Sequence, residues 1–243
     1  MNKKNSDSKA DFLFTLSHEI KNALNIINGM CCMIKNNTDD RERTLKYLNR
    51  ICSVTEYISE LLNKCIDISV FKSNRFRIDQ KPFKMDELKE EMYQLLLPLA
   101  EKKNIDFQVI YKHDRNKEVI GDYGRLLQIM INLATNSIKY TPNGGNIILR
   151  LDEEFEYITE TTYRFVCIDD GIGMDEEFQK HIFEPFTRAE DDRVRQVKGT
   201  GLGMTIVRDM VDAMGGSIHI ASAIDTGTTV TIRLKLKNYI RKG

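Results

Sequence analysis

Several short stretches combine residue types and spacing that suit chemistry. In "LFTLSHEIKNAL", residues 13 to 24, His18 stands beside Glu19 with Asn22 four residues on, and the question is whether this histidine is structural or exposed for reaction. In "NLATNSIKY", Asn132 and Asn136 lie at i and i+4 with Lys139 a further turn along. Two amide oxygens and a cation suit a hard metal ion and phosphate, since such ions take oxygen ligands and lysine supplies a point charge. "IDDGIGM" ends an apolar run with Asp169, then Gly171 and Gly173. A carboxylate can accept a hydrogen bond from an amine, and glycine lets the backbone pass close to a ligand. "KGTGLGM" places Gly199, Thr200, Gly201, Leu202 and Gly203 before a helical pattern whose first amides can receive phosphate oxygens. It is neither the lysine-containing phosphate loop nor the dinucleotide fingerprint. Taken singly, each stretch has a bland reading: a solvated or capping histidine, polar residues on a helix surface, or a tight turn. "DTGTTV", with Thr228, reads by itself as a hairpin entering a strand.

The elements that carry these residues follow from periodicity. Leu16, Ile20, Ala23, Ile27, Met30 and Ile34 step by four and three, which is one helical stripe. At about 100° per residue, His18 lies roughly 200° and Asn22 roughly 240° around from Leu16, so both face away from the stripe. "NNTDDRE" ends the pattern, and Asp39 with Glu42 forms a capping box for a second helix. There Leu48, Ile51, Val54, Ile58, Leu61, Cys65 and Ile68 repeat the stepping. Two long helices joined by a short polar loop make an antiparallel hairpin. Leu13, Leu24 and Leu62 broaden its apolar faces beyond a single seam, so residues 10–71 are expected to pair with a second copy as a dimeric four-helix bundle. Packing against the chain's own second domain is the alternative.

A second domain is expected over 73–239. Residues 85–102, 122–140 and 202–214 read as helices, and 105–111, 146–152, 163–169, 217–223 and 228–236 as strands. Helices that cover one face of a mixed sheet give an α/β sandwich. The 243 residues suffice for one or two domains. Lys plus Arg and Asp plus Glu both number 36, which argues against a nucleic-acid partner. No apolar run approaches the roughly 20 residues of a membrane span, so no membrane contact is expected within the chain. The start does not read as a signal peptide. Five scattered cysteines without metal spacing suit a reduced, cytoplasmic setting, although a longer parent protein could carry a membrane anchor.

In order and spacing the stretches resemble the catalytic core of two-component sensor histidine kinases. That core is a dimerisation and histidine-phosphotransfer hairpin followed by an ATP-binding sandwich of the gyrase, Hsp90 and MutL (Bergerat or GHKL) type. "SHEIKNAL" is similar to the H box, "NLATNSIKY" to the N box, "DDGIGM" to G1, "IFEPF" to the F box, "KGTGLGM" to G2 and "TGTTV" to the last glycine box. The resemblance implies ATP and Mg²⁺ as cofactors, His18 as phosphoacceptor, and Glu19 as the group that orients the imidazole and takes its proton. It implies phosphate contact by Asn132 and Asn136, with Asn136 as the metal ligand. Lys139 would neutralise phosphate charge, Tyr140 would pack on adenine, and Asp169 would accept the adenine amino group. Gly171, Gly173, Gly199, Gly201 and Gly203 would shape the phosphate walls, with Thr200 and Leu202 in the same box and Thr228 near the base. Arg188 would point at the γ-phosphate, and 187–200 would form a mobile lid. The implied partners are a second copy and a response-regulator receiver domain.

One departure is Ala23, where the family commonly has proline. Without proline the helix keeps a backbone hydrogen bond and should run straighter. Asn22 is a family-permitted residue for orienting the water that hydrolyses phosphoaspartate, so phosphatase activity is also implied. The rival readings are a degenerate, non-catalytic docking module and a clamp-type ATPase. No stretch of the sequence reads as a sensory or receiver domain.

Overall fold

The computed structural model describes residues 2–36, 40–71, 78–111, 117–189, 191–195 and 199–240. The chain divides into two compact units, 1–67 and 68–243.

The first unit is a helical hairpin of α1 (Asn2–Asn36) and α2, which begins at Arg41 and runs to Phe71. Ala23 is buried at the centre of the α1 stripe, with Leu16, Ile20, Ile27, Met30 and Ile34 half-buried around it. Val54, Leu61 and Cys65 form the buried stripe of α2, whereas Leu48, expected in that stripe, is exposed. α1 is continuous through Ala23. The cap of α2 differs from the expected one: Asp40 accepts from the Arg43 amide at 3.0 Å, and Asp39 lies outside the described residues. A carboxylate must sit immediately before the first helical residue to reach the free amides of the first turn, and Asp40 holds that position. Leu13, Phe14, Leu24, Leu62 and Ile66 remain exposed within this hairpin.

The second unit is one mixed sheet with helices on one face. Its strands are β1 (Lys81–Lys84), β2 (Asp106–Tyr111), β3 (Glu118–Gly121), β4 (Asn146–Glu156), β5 (Glu160–Asp169), β6 (Ser217–Ala223) and β7 (Gly227–Asn238). The order is β1-β3-β7-β5-β4-β2, with β6 also pairing with β7. β2 and β4 are parallel and the other pairs antiparallel. Alternation decides the faces: Leu149, Leu151, Phe165, Cys167, Ile232 and Leu234 point to the buried side. Arg150, Asp152, Arg164, Glu154 and Arg233 form an ion-pair chain on the other.

Helices α3 (Met85–Glu101), α4 (Tyr123–Tyr140) and α7 (Gly203–Ala213) bury Leu88 and Met92, Leu126 and Met130, and Ile206 and Met210. Asp122 starts α4 by accepting from the Arg125 amide at 3.0 Å. Two short helices, α5 (Glu176–His181) and α6 (Asp192–Arg195), lie in the segment before α7. Neither they nor β1 and β3 were expected, because four to six residues are too few for a period to emerge. β1 also contains Pro82, which suits the edge position the strand takes. The boundary expected near residue 73 lies outside the described residues.

Candidate functional site

In the helical unit His18 is exposed, as its angle on the stripe requires. Asn22 shares its face, with the amide nitrogen 3.1 Å from His18 Nδ1. Glu19 does not join them. Its carboxylate accepts from the Tyr57 hydroxyl of α2 at 2.9 Å. Adjacent residues on a helix point about 100° apart, so the neighbour at i+4 reaches the ring more readily than the neighbour at i+1.

In the sandwich unit, three of the expected residues, Tyr140, Gly171 and Thr228, gather around Asp169. The antiparallel register sets Asp169 at the end of β5 opposite Thr228 on β7. Asp169 Oδ1 accepts from the backbone amides of Gly171 and Thr228, both at 3.1 Å. Oδ2 accepts from Ser137 Oγ on α4 at 2.6 Å. Burial pushes the Asp169 carboxyl above its ordinary value, and the bonds from Ser137, Gly171 and Thr228 offset only part of that. Oδ1 is thus doubly occupied, while Oδ2 retains accepting capacity. Ser137 Oγ also lies 3.3 Å from the Cys167 sulfur, whose thiol burial pushes up to about 12.

The last turn of α4 joins this centre. The Tyr140 carbonyl accepts from the Ile172 amide at 3.2 Å, tying the end of the helix to the glycine turn after β5. Burial raises the Tyr140 phenol, with the nearby Arg188 charge opposing. Asn132, Asn136 and Lys139 are half-buried along α4. A Cβ on Gly203 would lie 3.5 Å from Asn136 Nδ2, so the Asn136 amide stands against the first turn of α7. Asn136 on α4 and the α7 N-terminus, separate in sequence, thereby share one wall.

Some expected residues are placed differently. Gly173 (φ +63°) is required by protein rather than ligand: a Cβ there would lie 1.8 Å from the Ala223 carbonyl oxygen. Gly201 similarly has Phe186 backbone in its Cβ position. These two glycines let chain segments approach one another, so they shape the walls indirectly. The Leu202 side chain is fully buried, and its amide donates to the buried Thr200 hydroxyl at 3.4 Å. Neither side chain is positioned as an exposed ligand contact. Arg188 donates to the Val194 carbonyl at 2.7 Å. Of the expected lid, residues 190 and 196–198 lie outside the described residues.

Sequence reasoning singled out Thr228 in "TGTTV" and gave its glycine, Gly227, no role. At φ +110° its Cβ would fall 1.9 Å from the Asp169 carbonyl oxygen, so only glycine allows β7 to enter beside Asp169. Sequence reasoning missed Ser137, although this small polar residue sits on the buried face of α4, where a polar group needs a partner. No cluster of three or more His, Cys, Asp or Glu side chains able to hold a metal occurs among the described residues. Among them, too, no helix is long and apolar enough to cross a membrane.

Comparison with known proteins agrees with this division. Residues 8–72 match the His Kinase A (phospho-acceptor) domain. Residues 121–238 match the histidine kinase-, DNA gyrase B- and HSP90-like ATPase family. The chain belongs to the sensor histidine kinases, as their catalytic core. It is 32% identical over 238 residues to the autoinducer 2 sensor kinase/phosphatase LuxQ of Vibrio harveyi, covering 97% of this chain and 27% of that protein. To the sensor histidine kinase GacS of Pseudomonas protegens it is 31% identical over 228 residues, covering 94% and 25%. This kinase core therefore spans about a quarter of the length of these curated relatives. The crystal structure of histidine kinase ThkA in complex with the response regulator TrrA superimposes with a TM-score of 0.74 at 26% identity, over 96% of this chain and 63% of that one. The hairpin followed by a mixed α/β domain is the fold they share.

Proposed function

We propose that the chain transfers the γ-phosphoryl group of ATP to His18 and then to an aspartate of a response-regulator receiver domain. The observation that carries this reading is the Asp169 centre: one half-buried carboxylate held by α4, the Gly171 turn and β7, with one oxygen left to accept. An adenine amino group is a donor that matches Oδ2. Tyr140 would pack on the base, with Thr228 near it. Asn132, Asn136 and Lys139 would meet the phosphates beside the α7 N-terminus, whose dipole favours anions. Gly199 has open space at its Cβ position, which suits close approach of a phosphate. Asn136 offers a hard oxygen for Mg²⁺, which commonly binds through few protein ligands, with phosphate oxygens and water completing its shell. The bound ion would neutralise charge on the phosphates.

Asn22 bears on how His18 reacts. An amide can present either its oxygen or its nitrogen to a ring nitrogen, and the choice follows the tautomer. With its oxygen turned to Nδ1–H, it holds the proton there and leaves the Nε2 lone pair facing solvent. Nε2 then attacks phosphorus, the N–P bond forms, the bond to the bridging oxygen breaks and ADP leaves. The Nδ1 proton departs to a base, for which Glu19 is the neighbouring carboxylate once it leaves Tyr57. A docked regulator would approach the same face. There Asn22 could hold a hydrolytic water, consistent with phosphatase activity of the kind named for LuxQ. A second copy would cover Leu13, Phe14, Leu24, Leu62 and Ile66, giving a homodimer through residues 10–71. A cytoplasmic location for this portion completes the reading.

The test is incubation with MgATP labelled at the γ-phosphate. Native chain should acquire an acid-labile, base-stable label. His18→Gln should acquire none while binding ATP as the native chain does. Label on His18→Gln at the native level would overturn the acceptor assignment.

A further inference from the structure

Lys103 lies outside every stretch that resembles a kinase motif, yet it grips the helix that carries one of them. α3 ends in a left-handed turn at Asn104 (φ +51°), with the Ile105 amide donating to the Ala100 carbonyl and the Asn104 amide to Glu101. The turn aims Lys103 at the C-terminus of α4. Its ammonium donates to the carbonyls of Ile138 at 2.8 Å, Lys139 at 3.2 Å and Thr141 at 2.7 Å. All three ammonium protons are thus used, and the partners are backbone oxygens at the negative end of a helix.

The end of a helix leaves its last carbonyls without intrahelical partners. Here Ser137 O takes the Thr141 amide, Tyr140 O takes the Ile172 amide, and Lys103 supplies the other three. The Gly144 amide returns a bond to the Lys103 carbonyl, locking the turn after α4 to the turn after α3. This same last turn contains Ser137, Lys139 and Tyr140. A residue that fixes it fixes the Asp169 partner, the phosphate-facing cation and the base platform together.

We propose that Lys103 is a positioning residue for the nucleotide site, holding the last turn of α4 in its ATP-competent conformation through these three carbonyls. The proposal rests on the reading of this unit as ATP-binding. Desolvation holds the Lys103 ammonium below its ordinary value, which agrees with a cation paired with carbonyls rather than carboxylates. Without Lys103, the last turn would populate other conformations, and apparent affinity would fall in proportion to the competent fraction.

The experiment measures ATP affinity and thermal midpoint side by side for the full native chain and for Lys103→Arg, Lys103→Gln and Lys103→Met. Lys103→Met should weaken ATP binding about tenfold, from loss of the helix-terminal charge and of competent population. Lys103→Arg should stay within about threefold of native, because it keeps the charge and several donors. Lys103→Gln should fall between them and carries the test if the methionine variant does not fold. In autophosphorylation the loss should appear in KM for ATP more than in kcat. A lowered midpoint with unchanged ATP affinity in both neutral variants would make Lys103 merely structural and overturn the proposal. Failure of the native chain to bind ATP would instead overturn the nucleotide reading, and this inference with it.

Discussion

Asp169→Asn is the most informative substitution at the nucleotide centre, because the structure dictates how the new amide must sit. Oδ1 of Asp169 receives two backbone amides that cannot turn away, from Gly171 and Thr228. Only the carbonyl oxygen of an asparagine can replace it there. The NH₂ group is then forced into the Oδ2 position beside Ser137, whose hydroxyl can rotate to accept from it. The fold should survive, since every protein partner stays satisfied. An adenine amino group, however, would meet a donor where it needs an acceptor. Loss of a hydrogen bond to a charged group costs about 1.5–3 kcal/mol. At 1.36 kcal/mol per decade, that weakens ATP binding by roughly 10- to 150-fold. Inosine triphosphate separates this mechanism from general damage, because it carries an oxygen where ATP carries the amino group. Competition against a fluorescent nucleotide should show the native chain preferring ATP and Asp169→Asn losing or reversing that preference. An unchanged ratio of ATP to inosine triphosphate affinity would refute the assigned role, however weakly the variant binds.

Two further outcomes follow. Burial raises the Asp169 carboxyl despite the bonds from Ser137, Gly171 and Thr228, so ATP affinity should fall as pH drops through that raised value. Its contribution to ligand-free stability has the opposite sign: it is fully present below the unfolded value and lost as pH rises through the folded one. Binding titrations and melts across mildly acidic pH should therefore show the ATP-induced stabilisation shrinking on acidification, and an ATP shift independent of pH there would contradict the placement. Gly227→Ala should cost at least about 3 kcal/mol, from a left-handed conformation and a Cβ driven into the Asp169 carbonyl. Gly199→Ala, with open space at its Cβ, should stay within about 0.5 kcal/mol, as urea unfolding of the two variants would reveal.

The sequence alone determined whatever depends on one element at a time. The outward direction of His18, its shared face with Asn22, the row of Asn132, Asn136 and Lys139, and the glycine turn before α7 all follow from helical geometry over a few residues. The major strands were legible from their apolar runs, and four-residue β1 and β3 were not. Only the tertiary structure decided which distant groups meet. Ser137 reaches Asp169 across 32 residues and Thr228 across 59, through the packing of α4 on the sheet and the register of β5 against β7. Packing in this unit also gave Gly173 and Gly201 protein neighbours, turned Leu202 into the core and set Lys103 against α4, while in the hairpin the packing of α1 on α2 drew Glu19 to Tyr57. Local periodicity fixes the direction of a side chain from its own backbone. What occupies the space it points into depends on surfaces brought together by burial and strand pairing, for which no short window of sequence carries a period.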